Sequence, residues 1–496
     1  MKRAYLVGVW CVFISFIILM LCSRSSFLYP CNDWNDANSF FTIGKAVMNG
    51  QVPYRDLFEQ KGFYLYLIYG IAYLISNNSF LGVFILETLS MAVFLYFSHK
   101  LIVLYCKEQT SLFLLPFLAF ALMVSRSFYW GGAAEEFCLP LMCISLYDTV
   151  HYFKDECPEA PSFKMILKNG ILAGIISLIK YTLLGFYFAW IGVIVLSCIV
   201  YKNYKKAISI CFVFGGGILI AFLPCFIYFA FNGALDEWYQ CYIYINIFLY
   251  SNLGASVSFA KRIYDLAKIM YWLILDNISY FSIIIIGMVY ILCSGKNKWY
   301  EKVNIYMLFA LLFLGIYIGG ANLPYYSIPL MVFAVIGMAA IGRWIDKSLK
   351  RDYRKGILTV MMLLSILVSA AGAYRFSMNS FFISYEKEDF FLFKFKRIIE
   401  QEKNPTLLTY NCLDAGLYTI ADIMPTCRFF HRCNLNFDEM MHEQEQYLIE
   451  GKTKFVLTAN TYPDIILKKY DLVAQEVYEQ VGTEVELTYY LFKRKE

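Results

Sequence analysis

Between two long apolar runs the chain reads Cys31-Asn-Asp33-Trp-Asn-Asp36-Ala-Asn-Ser-Phe40, then an amphipathic stretch to Gly50, then Val52-Pro53-Tyr54-Arg55-Asp56-Leu-Phe-Glu59-Gln-Lys61-Gly62. Asp36 opens the amphipathic stretch, and one reading makes it the N-cap of a helix, a role for which Asp is preferred. Asp33, Asp56, Glu59 and the cations Arg55 and Lys61 are then an ordinary solvated loop. The other reading sets these carboxylates and cations to work together. Which of the two holds depends on what surrounds the loop.

What surrounds it is lipid. Of 496 residues, 59% are hydrophobic and only 16% charged, with a mean hydropathy of +0.54, against roughly 25% charged in soluble domains. Aromatic residues make up 19%, which suits a bilayer with aromatic belts and excludes a disordered or nucleic-acid-binding chain. The 15 cysteines lie mostly inside apolar runs, with no CxxC pair and no Cys/His cluster at metal-ligand spacing. A Cys427–Cys433 bridge is permitted by spacing alone. The four histidines do not cluster either.

Spans of about 20 apolar residues, with Lys and Arg marking the cytoplasmic loops, predict eleven transmembrane helices. They fall near 5–23, 80–105, 110–130, 136–153, 169–183, 185–201, 207–231, 278–293, 303–320, 324–342 and 356–375. The side markers are Lys2/Arg3, Lys100/Lys107, Lys154/Lys164/Lys168, Lys202/Lys205/Lys206, Lys296/Lys298/Lys302 and the run from Arg343 through Lys350, Arg351 and Arg354 to Lys355. The N-terminus is then cytoplasmic and the first run an uncleaved helix, since no small-residue cleavage site follows it. Phe63 to Ile75 is too short for a span and reads as a re-entrant or interfacial helix on the outer face. Ser39 to Met48 and Trp238 to Tyr250 read as amphipathic segments in the membrane surface.

From Arg375 onward 34 of the 81 charged residues fall in a quarter of the length. Helical stretches there (385–403, 436–451, 462–470) alternate with strand-like runs (406–410, 455–459, 485–492). The expected architecture is a polytopic α-helical membrane domain over 1–375 and a small α/β extracytoplasmic domain over 376–496. Gly215-Gly216-Gly217 lies inside a span, where helix packing explains it.

Ionisable groups at the edge of lipid are costly to keep there. Glu87, Asp148 and Asp276 read as lying within spans with no adjacent basic residue, and as making helix–helix hydrogen bonds. Glu135 and Glu136 stand at the outer mouth of the third and fourth spans. Lys180 and Tyr181 sit near an outer turn, and Lys261 and Arg262 close the second long outer loop. Carboxylates and dispersed cations on one face suit an anionic lipid headgroup reacting with a hydroxyl. A cation holds the leaving phosphate and a carboxylate takes the acceptor proton.

At these residues the chain resembles the GT-C glycosyltransferases, in particular the protein O-mannosyltransferase and lipid A aminoarabinose transferase group. The matching positions are Asp36, Gly50, Pro53-Tyr54-Arg55-Asp56 and Lys61-Gly62; position 63 departs, being Phe where the group has Pro. The resemblance runs to about Arg375 and is strongest from Asp33 to Glu136. It implies a sugar donor linked to polyprenyl phosphate, a hydroxyl acceptor in a cell-surface glycan, lipid or protein, and a membrane location with no nucleic acid involved. By the same resemblance Asp36 is the catalytic base, with Asp33 the fallback. Lys61 contacts the donor phosphate, with Lys180, Arg262 and Arg55 as further candidates. Glu135 and Glu136 orient the site or, in some relatives, bind a divalent metal, which a lipid monophosphate donor does not strictly require. Tyr325 and Tyr326 flank the lipid carrier, or belong to the aromatic belt.

Two other functions fit a multi-pass chain. A flippase or transporter of lipid-linked sugars predicts repeats and charges along a path through the bilayer, whereas here the charges gather at one face. A surface-polysaccharide polymerase or ligase places its large outer loop between late spans, not after the first.

Overall fold

A computed structural model describes residues 2–154, 161–250, 258–295, 297–348, 355–432, 438–479 and 486–496. Lys296, Lys350, Arg351, Arg354 and Cys433 fall outside the described residues, and with them the Cys427–Cys433 bridge and part of the side markers. The chain is a multi-pass α-helical membrane protein with, among the described residues, one small sheet. It divides into two compact units: the first holds Met1–Ser23, Glu87–Cys225 and Leu253–Ser380, the second Arg24–Leu86, Phe226–Asn252 and Phe381–Glu496.

Among the described residues seven helices are long and apolar enough to cross a bilayer: Arg3–Cys22, Leu81–Val103, Tyr181–Val200, Tyr204–Phe231, Trp299–Tyr317, Pro324–Ser348 and Gly356–Phe376. An eighth is reached if Phe259–Asp276 and Ile278–Cys293, bent by 112° at their junction, count as one span. Each of the seven coincides with one of the eleven expected. The other four differ for local reasons. The expected span at 110–130 stops at Met123, because Ser127 leaves the helix to donate from its backbone N–H and hydroxyl to Asn277 Oδ1, at 2.8 and 2.7 Å. Ala134–Lys154 is 21 residues long but carries Glu135, Glu136, Asp148 and Lys154. Phe163–Ser177 is only 15 residues long. Ile278–Cys293 is the second arm of the bent pair, behind an amphipathic helix, Phe259–Asp276, that hydropathy alone does not single out.

The carboxylates Asp148, Asp276 and Glu87 of the first unit are answered from other helices or loops. Lys168 Nζ and Asn169 Nδ2 both reach Asp148, each at 2.7 Å from Oδ2. Arg126 Nη1 stands 3.2 Å from Asp276, and Gly132 N–H donates to Glu87 at 2.6 Å. Adjacency in sequence hides these partners because they come from other helices or loops.

In the second unit the helices Asn35–Met48 and Phe63–Ile75 pack face to face. Phe40 and Phe41 meet Tyr69 edge-on, and a Cβ on Gly44 would come within 2.5 Å of the Gly70 backbone. The opposite face of Asn35–Met48 carries polar residues at helical spacing and is also buried. Thr42 Oγ1 donates to Asp414 at 2.8 Å, and Lys45 Nζ donates to the carbonyls of Tyr418 and Ile423, both at 2.8 Å. Both faces of this amphipathic helix are thus covered by protein within the unit.

The sheet comprises β1 (Leu407–Thr409), β2 (Phe455–Ala459), β3 (Tyr470–Glu479) and β4 (Glu486–Arg494), in the order β1-β2-β4-β3. β1 and β2 are parallel, Leu407 opposite Phe455; the other pairs are antiparallel. Helices Phe391–Ile399, Asp438–Glu450 and Asp464–Lys469 accompany it. The three strand-like runs read from sequence are strands β1, β2 and β4. The edge strand β3 is the addition.

The glycine triplet separates into two kinds. A Cβ on Gly217 would meet Leu167 O at 2.5 Å, whereas Gly215 and Gly216 have nothing within 4 Å. Gly217→Ala should therefore lower stability by roughly 1–3 kcal/mol through overpacking, while Gly216→Ala leaves it unchanged or raises it by up to about 1 kcal/mol. Thermal melts in detergent compare them; equal melting points would refute the close helix contact at Gly217.

Candidate functional site

The sequence-derived candidates divide between the two units. In the second, Asp36, Glu59 and Lys61 line one small cavity of about 10 Å³ together with Asn35, His431 and Arg432. Asp36 is not the N-cap. That position is Trp34, and Asp36 is half-buried in the first helical turn, where the positive end of the helix dipole favours a carboxylate.

The Pro-Tyr-Arg-Asp stretch explains how Lys61 is aimed. Asp56 Oδ2 accepts the Val52 N–H at 2.7 Å and closes a turn, in which Tyr54 adopts φ +72°. Positive φ is rare for a bulky residue and persists only where the surroundings enforce it. Tyr54 is completely buried, its ring beside Tyr66 and Phe229. Its hydroxyl donates to the Lys61 carbonyl at 2.7 Å, while the Lys61 N–H donates to Tyr66 Oη at 3.0 Å. Two tyrosines thus hold the backbone of Lys61, and its ammonium lies 5.9 Å from the Phe40 ring centre. Arg55 lies outside the cavity, bonded to Asp56 at 2.8 Å and to the Asn232 carbonyl at 2.7 Å. That ion pair holds the Asp56 carboxyl below its usual range.

Sequence reading alone does not single out His431. The segment carrying it is stitched by backbone bonds, Phe58 N–H to Arg428 O at 2.9 Å, Thr409 N–H to Phe430 O at 3.1 Å and Arg432 N–H to Cys412 O at 2.8 Å. This brings His431 Nε2 to 3.6 Å from Glu59 Oε2. Burial opposes ionisation of Glu59, but the facing His431 and the charge on Lys61 outweigh it and hold the carboxyl below its usual range. No motif or spacing links His431 to Glu59, because the pairing exists only in the folded chain.

Asp33 is placed differently. Its Oδ1 pairs with Arg24, whose side chain has no exposed surface, and its Oδ2 accepts the Tyr478 hydroxyl at 2.7 Å. The Arg24 guanidinium also lies 4.8 Å from the Phe382 ring centre. Both oxygens of Asp33 are engaged in joining the first long loop to β3.

In the first unit the buried Glu135 pairs with Lys180, whose ammonium stands 3.9 Å from the Tyr326 ring centre and 5.3 Å from that of Tyr325. Four of the candidates are thus neighbours. Glu136 accepts the Ala133 N–H at 2.8 Å and lines a small void with Glu87. Arg262 packs its guanidinium over Gly320. Among the described residues no group of three or more His, Cys, Asp and Glu could hold a metal ion.

With a helical membrane part, a packed helix pair after the first span and a small α/β sheet, the chain has the GT-C fold. Its structure is similar to that of ArnT from Cupriavidus metallidurans bound to undecaprenyl phosphate, with a TM-score of 0.63 and 11% identity over 99% of this chain and 98% of that one. Against the same protein in the apo state the TM-score is 0.56, again at 11% identity with 99% and 98% covered. At this identity the likeness is one of fold. No protein-family model matches the sequence, and no curated protein matches it.

The buried charges make two stability effects measurable. Arg24→Met leaves the Asp33 carboxylate buried without its cation and should cost roughly 3–5 kcal/mol; a melting point within a degree or so of wild type would refute the strut. Burial lowers the Lys45 ammonium to about 8, against the opposing charges of Asp422 and Asp414. The folded chain releases this proton before the unfolded chain does, so stability gains a contribution as pH rises from about 8 toward the ordinary lysine value of 10.5. The difference in melting point between wild type and Lys45→Met, followed across that window, should change with this sign.

Proposed function

We propose that the chain is a glycosyltransferase that moves a sugar from a polyprenyl-phosphate donor to a hydroxyl acceptor on the outer face of a cell membrane. The observation that carries the reading is the convergence of Asp36 and Lys61 on one cavity, in a fold shared with a protein whose structure was determined with undecaprenyl phosphate. Asp36 acts as general base. It takes the proton of the acceptor hydroxyl as that oxygen forms its bond to the anomeric carbon, the carbon–oxygen bond to phosphate breaks, and polyprenyl phosphate leaves with inversion. Lys61 balances the charge on the departing phosphate. Glu59, facing His431, keeps a fixed anion beside Lys61 and orients it.

Asp36 is preferred to Asp33 as the base, since both oxygens of Asp33 are already bonded. Among the described residues, His431 Nδ1 and the side-chain oxygen of Gln60 are buried without a hydrogen-bond partner, and such groups are what a polar substrate satisfies. Arg55, Lys180 and Arg262 are secondary candidates for the phosphate, Glu135 and Glu136 for orienting the site, and Tyr325 and Tyr326 for flanking the lipid carrier. In this reading residues 1–375 form the membrane catalytic part, the N-terminus is cytoplasmic, and residues 376–496 are extracytoplasmic.

The test is transfer of radiolabelled sugar from total polyprenyl-phosphate sugars by membranes carrying wild type, Asp36→Asn or Lys61→Ala at matched expression. Asp36→Asn should reduce transfer by about 10²-fold or more, in the range of general-base contributions, with binding of undecaprenyl phosphate retained. Lys61→Ala should weaken that binding. Full activity in Asp36→Asn would overturn the base assignment, and a wild type that moves labelled lipid between leaflets without transfer would replace the transferase by a flippase.

A further inference from the structure

A second cavity in the same unit, about 360 Å³ in volume, opens beside the one that holds Asp36, and Asn35, Leu413 and Arg432 line both. Its volume lies within the roughly 300–1,000 Å³ typical of small-molecule sites. It sits at the carboxyl ends of the two parallel strands: Asn460 directly follows β2 and Asn411 follows β1 by two residues. In open α/β sheets, ligands bind in the crevice outside the carboxyl ends of the strands.

Both asparagines adopt left-handed backbone conformations, φ +49° at Asn411 and +61° at Asn460, a conformation that Asn tolerates better than most residues and that concentrates at binding sites. The Asn411 backbone N–H is fixed by Gln444 Oε1 at 3.1 Å. Asn460 is tied to Thr488 in both directions. It donates its N–H to the Thr488 carbonyl at 2.7 Å and accepts the Thr488 N–H at Oδ1 at 3.0 Å.

We propose that this crevice binds a polyhydroxylated ring, the saccharide end of the acceptor whose hydroxyl meets Asp36. The proposal rests on the transferase reading above. A sugar hydroxyl both donates and accepts, and a side-chain amide offers both functions; three asparagines, Asn35, Asn411 and Asn460, line the crevice. Leu413, Leu487 and the buried Tyr489 supply apolar surface for ring C–H groups. Among the described residues no carboxylate lines it, which disfavours a metal ion, and Arg432 is the charged side chain in its lining, a donor that a sugar hydroxyl can accept from.

The experiment uses the full chain in detergent and saturation-transfer NMR with methyl hexosides and methyl N-acetylhexosaminides, glycerol serving as the control. The double variant Asn411→Gly/Asn460→Gly removes two amides while glycine keeps the left-handed backbone, and its melting curve verifies folding. At least one glycoside should receive saturation from the wild type, with the signal reduced about fivefold or more in the double variant and undecaprenyl phosphate binding unchanged. Arg432→Met, which alters neither strand end, provides a second variant and should weaken the same signal. Absence of saturation in every glycoside, or equal signals in wild type and both variants, would overturn the crevice. Glycoside binding by a wild type that does not bind undecaprenyl phosphate would support the crevice and overturn the transferase reading.

Discussion

A cation without exposed surface must be met by acceptors inside the protein, because leaving it unpaired costs several kcal/mol. The segment between the first two long apolar helices places two such cations, Arg24 and Lys45. Arg24 is met by Asp33, nine residues on, which in turn is held by Tyr478 on β3. Lys45 is met by the carbonyls of Tyr418 and Ile423 and by Asp422. Both chains of contacts end in the C-terminal part of the sequence. The first long loop and the C-terminal sheet are therefore one folding problem. Composition changes at residue 375, but packing follows the satisfaction of buried polar groups, and the compact unit gathers both segments.

The same constraint governs the Pro-Tyr-Arg-Asp turn. Its two charged residues bond each other and the adjoining backbone, so neither enters the cavity with Lys61. The strained residue is Tyr54, and its hydroxyl reaches seven residues on to hold the Lys61 carbonyl. A motif that in sequence looks like a pair of charges is, in three dimensions, a device that positions a lysine through a tyrosine.

Apolar runs locate the seven helices of spanning length, and alternating patterns locate β1, β2 and β4, so much of the fold is legible before any packing is known. The loop from Asp33 to Lys61 is recognisable because residue types and spacing survive without knowledge of tertiary contacts. Other features are hidden. The edge strand β3 is mostly exposed and carries Asp471, Glu476 and Glu479, the charged pattern with which edge strands resist further pairing and which hides a strand from hydropathy. Cross-helix partners such as Lys168 for Asp148 are set by helix packing, and His431 reaches Glu59 only because a stitched segment carries it there. The amphipathic helix Asn35–Met48 reads as a surface element because its polar face is visible in sequence and the partners of that face are not.

The two neighbouring cavities differ in a way that bears on chemistry. The one at Asp36 is nearly filled, at about 10 Å³, while the crevice beside it holds about 360 Å³. In the proposed reading Asp36 takes a proton, which needs a base within hydrogen-bond reach of one hydroxyl, and close packing around it limits which atom can approach. Recognition of a ring needs width and several amides. On the proposed reading the site separates these demands, narrow where the proton moves and wide where the ring is read, so that a change of residues at the strand ends would exchange one acceptor for another while leaving Asp36, Glu59 and Lys61 in place.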